Sequence, residues 1–541
     1  MATSTSPLGR GLTPSAPDSS DGGSSSATTG ATEATEHRPW WLAALDGVVA
    51  GAVAVGVSSL LGGAMTFLSF STGTPSPLTA LAGAFIDRTP PWLKDAAIRA
   101  FGTYDKTALL VGMVLVLVLV SAAAGVLSRR RPTAAYVVLA IGGALAALAV
   151  TGRPQAGAFD VVPAVVGTVA AILVLARTRA DDAAGVAGLT RRRVLVGGGG
   201  VVEAWLGSRL DGGVGQATSS RAAVQLPTPA TALATPPPGA AGASLDIPGV
   251  TSWVVPNADF YRIDTAFVVP HLDTASWQLK VVGEVEQEIT LDWKTLLTKP
   301  LVQKVVTLTC VSNEVGGNLV GNAVWTGWPV RELLALAKPK AGADMVLSRS
   351  SDGFTAGTPI GALTDDRDAL LAVAMNGEAL PFEHGFPVRL VVPGLYGYVS
   401  ATKWLTELKV TRFAADEGYW TPRGWSALGP VKTASRVDVP TDGARVTAGK
   451  VAVAGVAWAQ HRGITSVEVQ VDGGAWQTAR LAVEPTVDAW RQWVYEWDAA
   501  PGRHTVAVRA TDGSGALQPS TPADPAPDGA QGYHTISVQV G

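Results

Sequence analysis

Between Thr107 and Leu127 the chain runs for 21 residues without a charged side chain, most of them Leu, Val or Ala. A helix of that length spans the roughly 30 Å hydrocarbon core of a bilayer, and a polar fold has little room for such a run on its surface. Three further runs follow the same rule. Leu42 to Phe70 is apolar and rich in Gly and Ala, with one acid, Asp46, near its start. Residues 133–151 and 161–176 are shorter apolar stretches bounded by arginines and Asp160; upright helices or thinned lipid would accommodate them as spans, and the last also fits a buried helix. Residues 37–207 are therefore expected to form an α-helical membrane domain of four to five helices. Residues 1–36, mostly Ser, Thr, Gly, Ala and Pro, carry too few large apolar groups to offset chain entropy and are expected to be disordered.

Arginine placement sets an orientation, because short loops rich in Lys and Arg stay on the cytoplasmic side. His37 and Arg38 precede the first span, Arg129, Arg130 and Arg131 separate the second from the third, and Arg177, Arg179 and Arg191 to Arg193 follow the fourth. All fall on one side. The intervening loop, 71–106, carries Arg88, Lys94, Arg99 and Lys106 with acids interleaved, so the bias is not clean. TRRRVLVGGGGVVEAWLG, residues 190–207, reads equally as a twin-arginine export signal or as a positive-inside anchor before a fifth helix. Either way the chain crosses outward. Residues 208–250, rich in Pro, Ala, Thr and Gly, are expected to be a flexible linker outside the membrane. The expected location is the cell membrane, multi-pass, with the catalytic part extracytoplasmic. With 41 basic against 44 acidic residues, no global excess points to nucleic acid.

Beyond the linker the pattern changes. Residues 251–428 mix short strands such as WQLKVVG and VRLVV with helices such as VRELLALA, an α+β pattern. Residues 429–541 alternate apolar and polar in KVAVAGVAW, SVEVQVDGGAW, HTVAVRATDG and HTISVQV, with Asp472-Gly473-Gly474 marking a hairpin, which predicts an immunoglobulin-like β-sandwich. Cys310 is the single cysteine. A solitary thiol is ordinarily a small buried hydrophobe; the sharper reading is a thiolate ligand to a heavy metal, where a strand gives way to a loop of backbone amides.

The neighbouring sequence bears on that choice. TLTCVSNEVGGNLVGNAVWTGWPVRELL, with Cys310, Asn313, Trp325 and Gly327, resembles the metal-binding segment of the sulfite oxidase family. MNGEALPFEHGFPVRLVVPGLYGYVSATKWL, residues 375–405, is similar to that family's second signature, and DFYRIDTAFVVPHLDTASWQLKVVG to its opening segment. The resemblance covers about residues 250–540. It implies a multi-domain protein: a membrane domain, a sulfite-oxidase-type molybdopterin domain, and a sandwich similar to the family's dimerisation domain, which leaves a homodimer open. It also implies molybdenum held by one pterin per metal and by Cys310, and an oxygen-atom transfer. Arg262, Asn313, His384, Arg389 and Lys403 would bind the cofactor, and Trp420 and Trp425 would line the substrate pocket.

Departures bear on the substrate. Animal and plant sulfite oxidases follow the cysteine with an Asn and two arginines; here Asn313, Glu314 and Val315 stand in that place, and Trp425 falls where the family has a tyrosine. A small oxyanion and a sulfoxide both stay open as substrates. A haem in this chain is not expected, since C-x-x-C-H needs two cysteines and none of the six histidines falls within an expected span. Electrons would then pass to a separate redox protein or a quinone. The competing class is a non-catalytic surface protein that has lost the metal.

Overall fold

A computed structural model describes residues 39–67, 76–90, 105–153, 156–183, 214–232 and 242–541 except 267, with isolated positions at 93, 198–199 and 202. The expected disordered tail and most of the twin-arginine stretch lie outside the described residues.

Four described helices are long and apolar enough to cross a membrane. They are α1 (Trp40–Phe67), α3 (Asp105–Arg130), α4 (Pro132–Thr151) and α5 (Val162–Ala183), with a short α2 (Pro77–Arg88) between the first two. The fourth span is longer than its apolar run suggested, because the helix continues through Arg177 and Arg179. Small residues set the packing. A Cβ at Gly47 would overlap the Ser121 carbonyl, and one at Gly125 would overlap the Ala43 carbonyl, so α1 and α3 meet backbone to backbone; Gly167 brings α5 equally close to Ala54 of α1. Close approach of this kind replaces the hydrophobic drive that lipid does not provide between helices. Leu115, Leu119, Leu145, Leu148 and Leu173 point outward. Arg129 Nη2 donates to the Pro39 carbonyl at 3.0 Å, so the basic end of α3 and the start of α1 share one face of the bundle.

A short helix α6 (Val214–Ala222) and the residues after it differ from the expected flexible linker. Arg221 donates to the Leu380 and Ala379 carbonyls, both at 2.7 Å, and Ser220 Oγ lies 2.7 Å from Thr274 Oγ1. Thr231 forms a parallel bridge with Val302, and the Leu245 amide donates to Gln492 Oε1 at 2.8 Å. Composition hid this docking because only a few apolar groups, Val224, Leu226 and Ala243, reach the core, and hydrogen bonds to backbone carbonyls do much of the holding.

The α+β region holds two sheets. One runs β2 (Ile289–Asp292), β1 (Gln278–Gly283), β10 (Leu405–Thr411), β5 (Met345–Ser350), β6 (Thr355–Pro359). The other runs β3 (Val302–Thr309), β4 (Val320–Pro329), β7 (Leu370–Met375), β8 (Glu378–Ala379), with β9 (Arg389–Val391) also on β7. β7, LLAVAM, is buried at every position, the near-continuous apolar run expected of a strand covered on both faces. Helix α7 (Val330–Ala337) follows β4 and buries Val330, Leu333, Leu334 and Ala337 on one stripe; each leucine contributes about 2 kcal/mol. The C-terminal sandwich packs β11 (Ala434–Val439), β13 (Gly449–Trp458), β17 (Arg491–Ala499) and β16 (Arg480–Leu481) against a sheet of β12 (Ala444–Val446), β19 (His534–Val540), β18 (Gly502–Asp512), β14 (Ile464–Val471) and β15 (Gln477–Thr478). Trp458 and Trp490 of this sandwich belong to the core of the preceding region, so the two share a buried seam.

Candidate active site

β3 ends at Thr309, and Cys310 opens the ten-residue connection to β4. The loop is closed locally: the Cys310 amide donates to the Leu319 carbonyl at 2.9 Å, and Asn313 Oδ1 accepts from the Leu319 amide at 2.7 Å. Cys310 is half-buried and lines a cavity of about 140 Å³. Burial pushes its thiol upward, while hydrogen bonds from Ser312 and the charge of Lys403 pull the other way.

Two cations share the cavity. Arg389, at the start of β9, is 4 % exposed and lies 5.0 Å over the Trp325 ring. Its guanidinium donates to carbonyls of His384 at 3.2 Å, and of Leu390 and Ala401 at 3.4 Å, and no carboxylate among the described residues reaches it. Burial lowers its pKa to about 10. Lys403 Nζ donates to Asp264 Oδ2 at 3.2 Å and to the Glu383 carbonyl at 2.9 Å; burial lowers it to about 8 against the pull of Asp264.

His384 is buried beside Arg389 and does not itself line the cavity. Burial first, and Arg389 second, lower its pKa to about 4, so it is neutral at pH 7. Nε2 lies 3.0 Å from the Asn257 carbonyl, which assigns the proton there, and the buried Nδ1 is left without a partner. Arg262 is on the surface side: its Nε donates to Asp264 Oδ2 at 2.9 Å, and it reaches the cavity only through that carboxylate. Asn313 serves the loop and faces a smaller cleft against the sandwich rather than the main cavity. Glu314 lies in that cleft too, exposed, so the acid expected beside the metal stands outside the main cavity.

Trp420 and Trp425 form one wall, their rings 6.2 Å apart and steeply inclined. Tyr398 lies 5.9 Å from Trp425 and donates its phenol to the Ser426 carbonyl at 2.7 Å; burial raises it to about 12. Tyr261 also lines the cavity, its phenol pushed well up by burial. Sequence reasoning passed over Tyr261, Asp264 and Tyr398, although each lies within a quoted segment; the signal available was adjacency to Arg262 and Lys403.

Among the described residues no three His, Cys, Asp or Glu side chains gather as a metal cage. The residues present fit a cofactor-borne metal: a soft sulfur donor, a buried guanidinium that meets no carboxylate among the described residues, and an orphaned imidazole nitrogen able to accept from a polar heteroaromatic ring.

Comparison with known proteins agrees. Residues 266–420 match the oxidoreductase molybdopterin binding domain, and residues 435–538 match a bacterial Ig domain. Mouse mitochondrial sulfite oxidase is 30 % identical over 320 residues, covering 50 % of this chain and 58 % of that protein. Arabidopsis thaliana sulfite oxidase is 28 % identical over 335 residues, covering 50 % and 83 %. The NADPH nitrate reductase of Emericella nidulans is 33 % identical over 175 residues, covering 28 % and 20 %. The chain spans a little over half the length of the mammalian relatives it matches. The sulfane dehydrogenase SoxCD of Paracoccus pantotrophus overlays with a TM-score of 0.47 at 23 % identity, covering 54 % of this chain and 82 % of that one. Cys310, Arg389, Lys403 and most of the cavity therefore lie in the stretch that matches a molybdopterin-binding oxidoreductase domain, with Tyr261, Asp264 and Trp425 just outside its ends. The same region is similar to sulfite oxidases, and an immunoglobulin-like sandwich follows it.

Proposed function

We propose that the protein is a membrane-anchored, molybdopterin-dependent enzyme that transfers an oxygen atom to or from a small sulfur-centred substrate, with Cys310 as the protein ligand to molybdenum. The observation that carries this reading is one cavity holding the chain's single thiol together with a buried Arg389 that meets no carboxylate among the described residues. The cofactor supplies the two-electron oxygen exchange. The chain's own residues bind, orient and dry the site. Arg389 and Lys403 would hold the cofactor's anionic groups by charge-assisted hydrogen bonds, with Asp264, which Arg262 and Lys403 share, keeping Lys403 in place. Neutral His384 accepts a hydrogen bond at Nδ1. Trp420, Trp425 and Tyr398 enclose the substrate and exclude water.

Sulfoxide reduction is the second reading. Asp264 and Asp352 both line the cavity and offset the charges of Arg389 and Lys403, so the walls suit a neutral substrate better than a dianion. The one-faced cluster of Arg129 and the α1 start supports an orientation with that end cytoplasmic and the catalytic domain outside. Electrons would pass to or from a separate redox protein or a quinone. The deciding experiment loads the full chain with molybdenum cofactor and follows its oxidation state after sulfite or methionine sulfoxide. Reduction by sulfite supports the first reading, oxidation of the reduced protein by sulfoxide the second. A protein that takes up no molybdenum contradicts both and supports a binding role.

A further inference from the structure

β3, the strand that delivers Cys310, is an edge strand with β4 on one side only, yet its other edge meets protein. At Thr307 the outward amide donates to the Asp488 carbonyl at 2.9 Å, and the outward carbonyl accepts from Gln460 Nε2 at 2.9 Å. The same Gln460 nitrogen donates to Thr309 Oγ1 at 2.9 Å, one residue before the cysteine. Gln460 follows β13 and Asp488 precedes β17, so both belong to the C-terminal sandwich, and Gln460 is 1 % exposed. Beyond the cysteine the sandwich takes hold again. Arg436 of β11 donates to the Gly317 carbonyl at 2.8 Å while its Nε is held by Asp438 at 2.6 Å. Gly316, at φ +77°, lies so close to His534 of β19 that a Cβ there would overlap the imidazole.

We infer that Gln460 and Arg436 are positioning residues for the Cys310 thiol, so that the sandwich completes the active site rather than merely following it. Neither touches the cavity. They fix the backbone on both flanks of Cys310, and a buried carbonyl deprived of its donor is a large local destabilisation. Loss of either contact raises the population of states in which the loop opens. The inference rests on the proposed role of Cys310 only for its catalytic consequence; the position of the thiol is measurable without any cofactor.

Because Cys310 is the only cysteine in the chain, alkylation of the cofactor-free full-length protein by a small neutral reagent reports on this thiol alone. Gln460→Leu is expected to alkylate faster by about an order of magnitude at fixed pH. Gln470→Leu, which removes only the exposed hairpin contact to Gly474, is expected to match the parent. Arg436→Lys, which keeps a cation beside Asp438 but shortens the reach to Gly317, gives a second reading should Gln460→Leu not fold. In molybdenum-loaded protein, Gln460→Leu is expected to shift the paramagnetic resonance signal while Gln470→Leu leaves it unchanged. Parent-like alkylation in both seam variants overturns the inference. Faster alkylation with no metal uptake by the parent keeps the positioning and removes the enzyme reading.

Discussion

Arg389 and Arg436 are both buried guanidiniums, and their surroundings differ in one respect. Arg436, in the seam between the two C-terminal domains, has Asp438 at 2.6 Å, with 9 % and 7 % of their side chains exposed. Arg389, in the cavity, has carbonyls and a tryptophan face but no carboxylate among the described residues. A buried charge without a counter-charge costs free energy, so it persists where something else supplies the anion. Arg436 is satisfied by its own chain; on the proposed reading, the anion that completes Arg389 comes from the cofactor.

Substitutions sharpen this contrast. The largest effect is expected at the proposed metal ligand: Cys310→Ser lowers molybdenum retention by more than the roughly 10–100-fold that loss of an outer partner costs, and turnover falls to background, read by metal analysis and steady-state assay. Next, Arg436→Met leaves Asp438 buried and unpaired, and denaturant unfolding should show a loss of about 3–5 kcal/mol. Arg389→Met should behave differently. Removing an uncompensated buried charge offsets the donors withdrawn from the His384, Leu390 and Ala401 carbonyls, so the cofactor-free protein loses less stability than Arg436→Met, while cofactor affinity drops about 10–100-fold, measured by titration, for lost charge-assisted hydrogen bonds. A cofactor-free Arg389→Met protein that unfolds as readily as Arg436→Met would erase the distinction.

The smallest effect tests a carboxylate within the sandwich. Burial acts to raise the pKa of Asp512, but hydrogen bonds from Ser514, Arg462 and Thr433 outweigh it and hold the group well below the usual range. A carboxylate depressed in the folded state contributes stability above its unfolded value of about 3.9, and that stability is lost as pH falls towards the folded value. Asp512→Asn should therefore cost about 2 kcal/mol at pH 7, read by chemical unfolding, and flatten the acid limb below about pH 4.

The contrast also explains what the sequence made legible. The block from Met375 to Leu405 marked Arg389, Lys403 and His384, and the structure brings Arg389 and Lys403 into the cavity because β7, β9 and the turns after it are consecutive. The membrane helices were legible because lipid selects composition directly. Arg262 lies outside the cavity and reaches it through Asp264, and Asn313 Oδ1 is taken up by its own loop; neither arrangement has a signal in the local sequence. The docked segment around Arg221 and the contacts of Gln460 on β3 left no local signature, since each pairs residues more than a hundred positions apart through backbone carbonyls.

The most direct measurement is molybdenum-edge X-ray absorption on the cofactor-loaded full chain beside its Cys310→Ser variant. The account predicts a sulfur shell that loses one scatterer in the variant. An identical sulfur shell in the two proteins would contradict it.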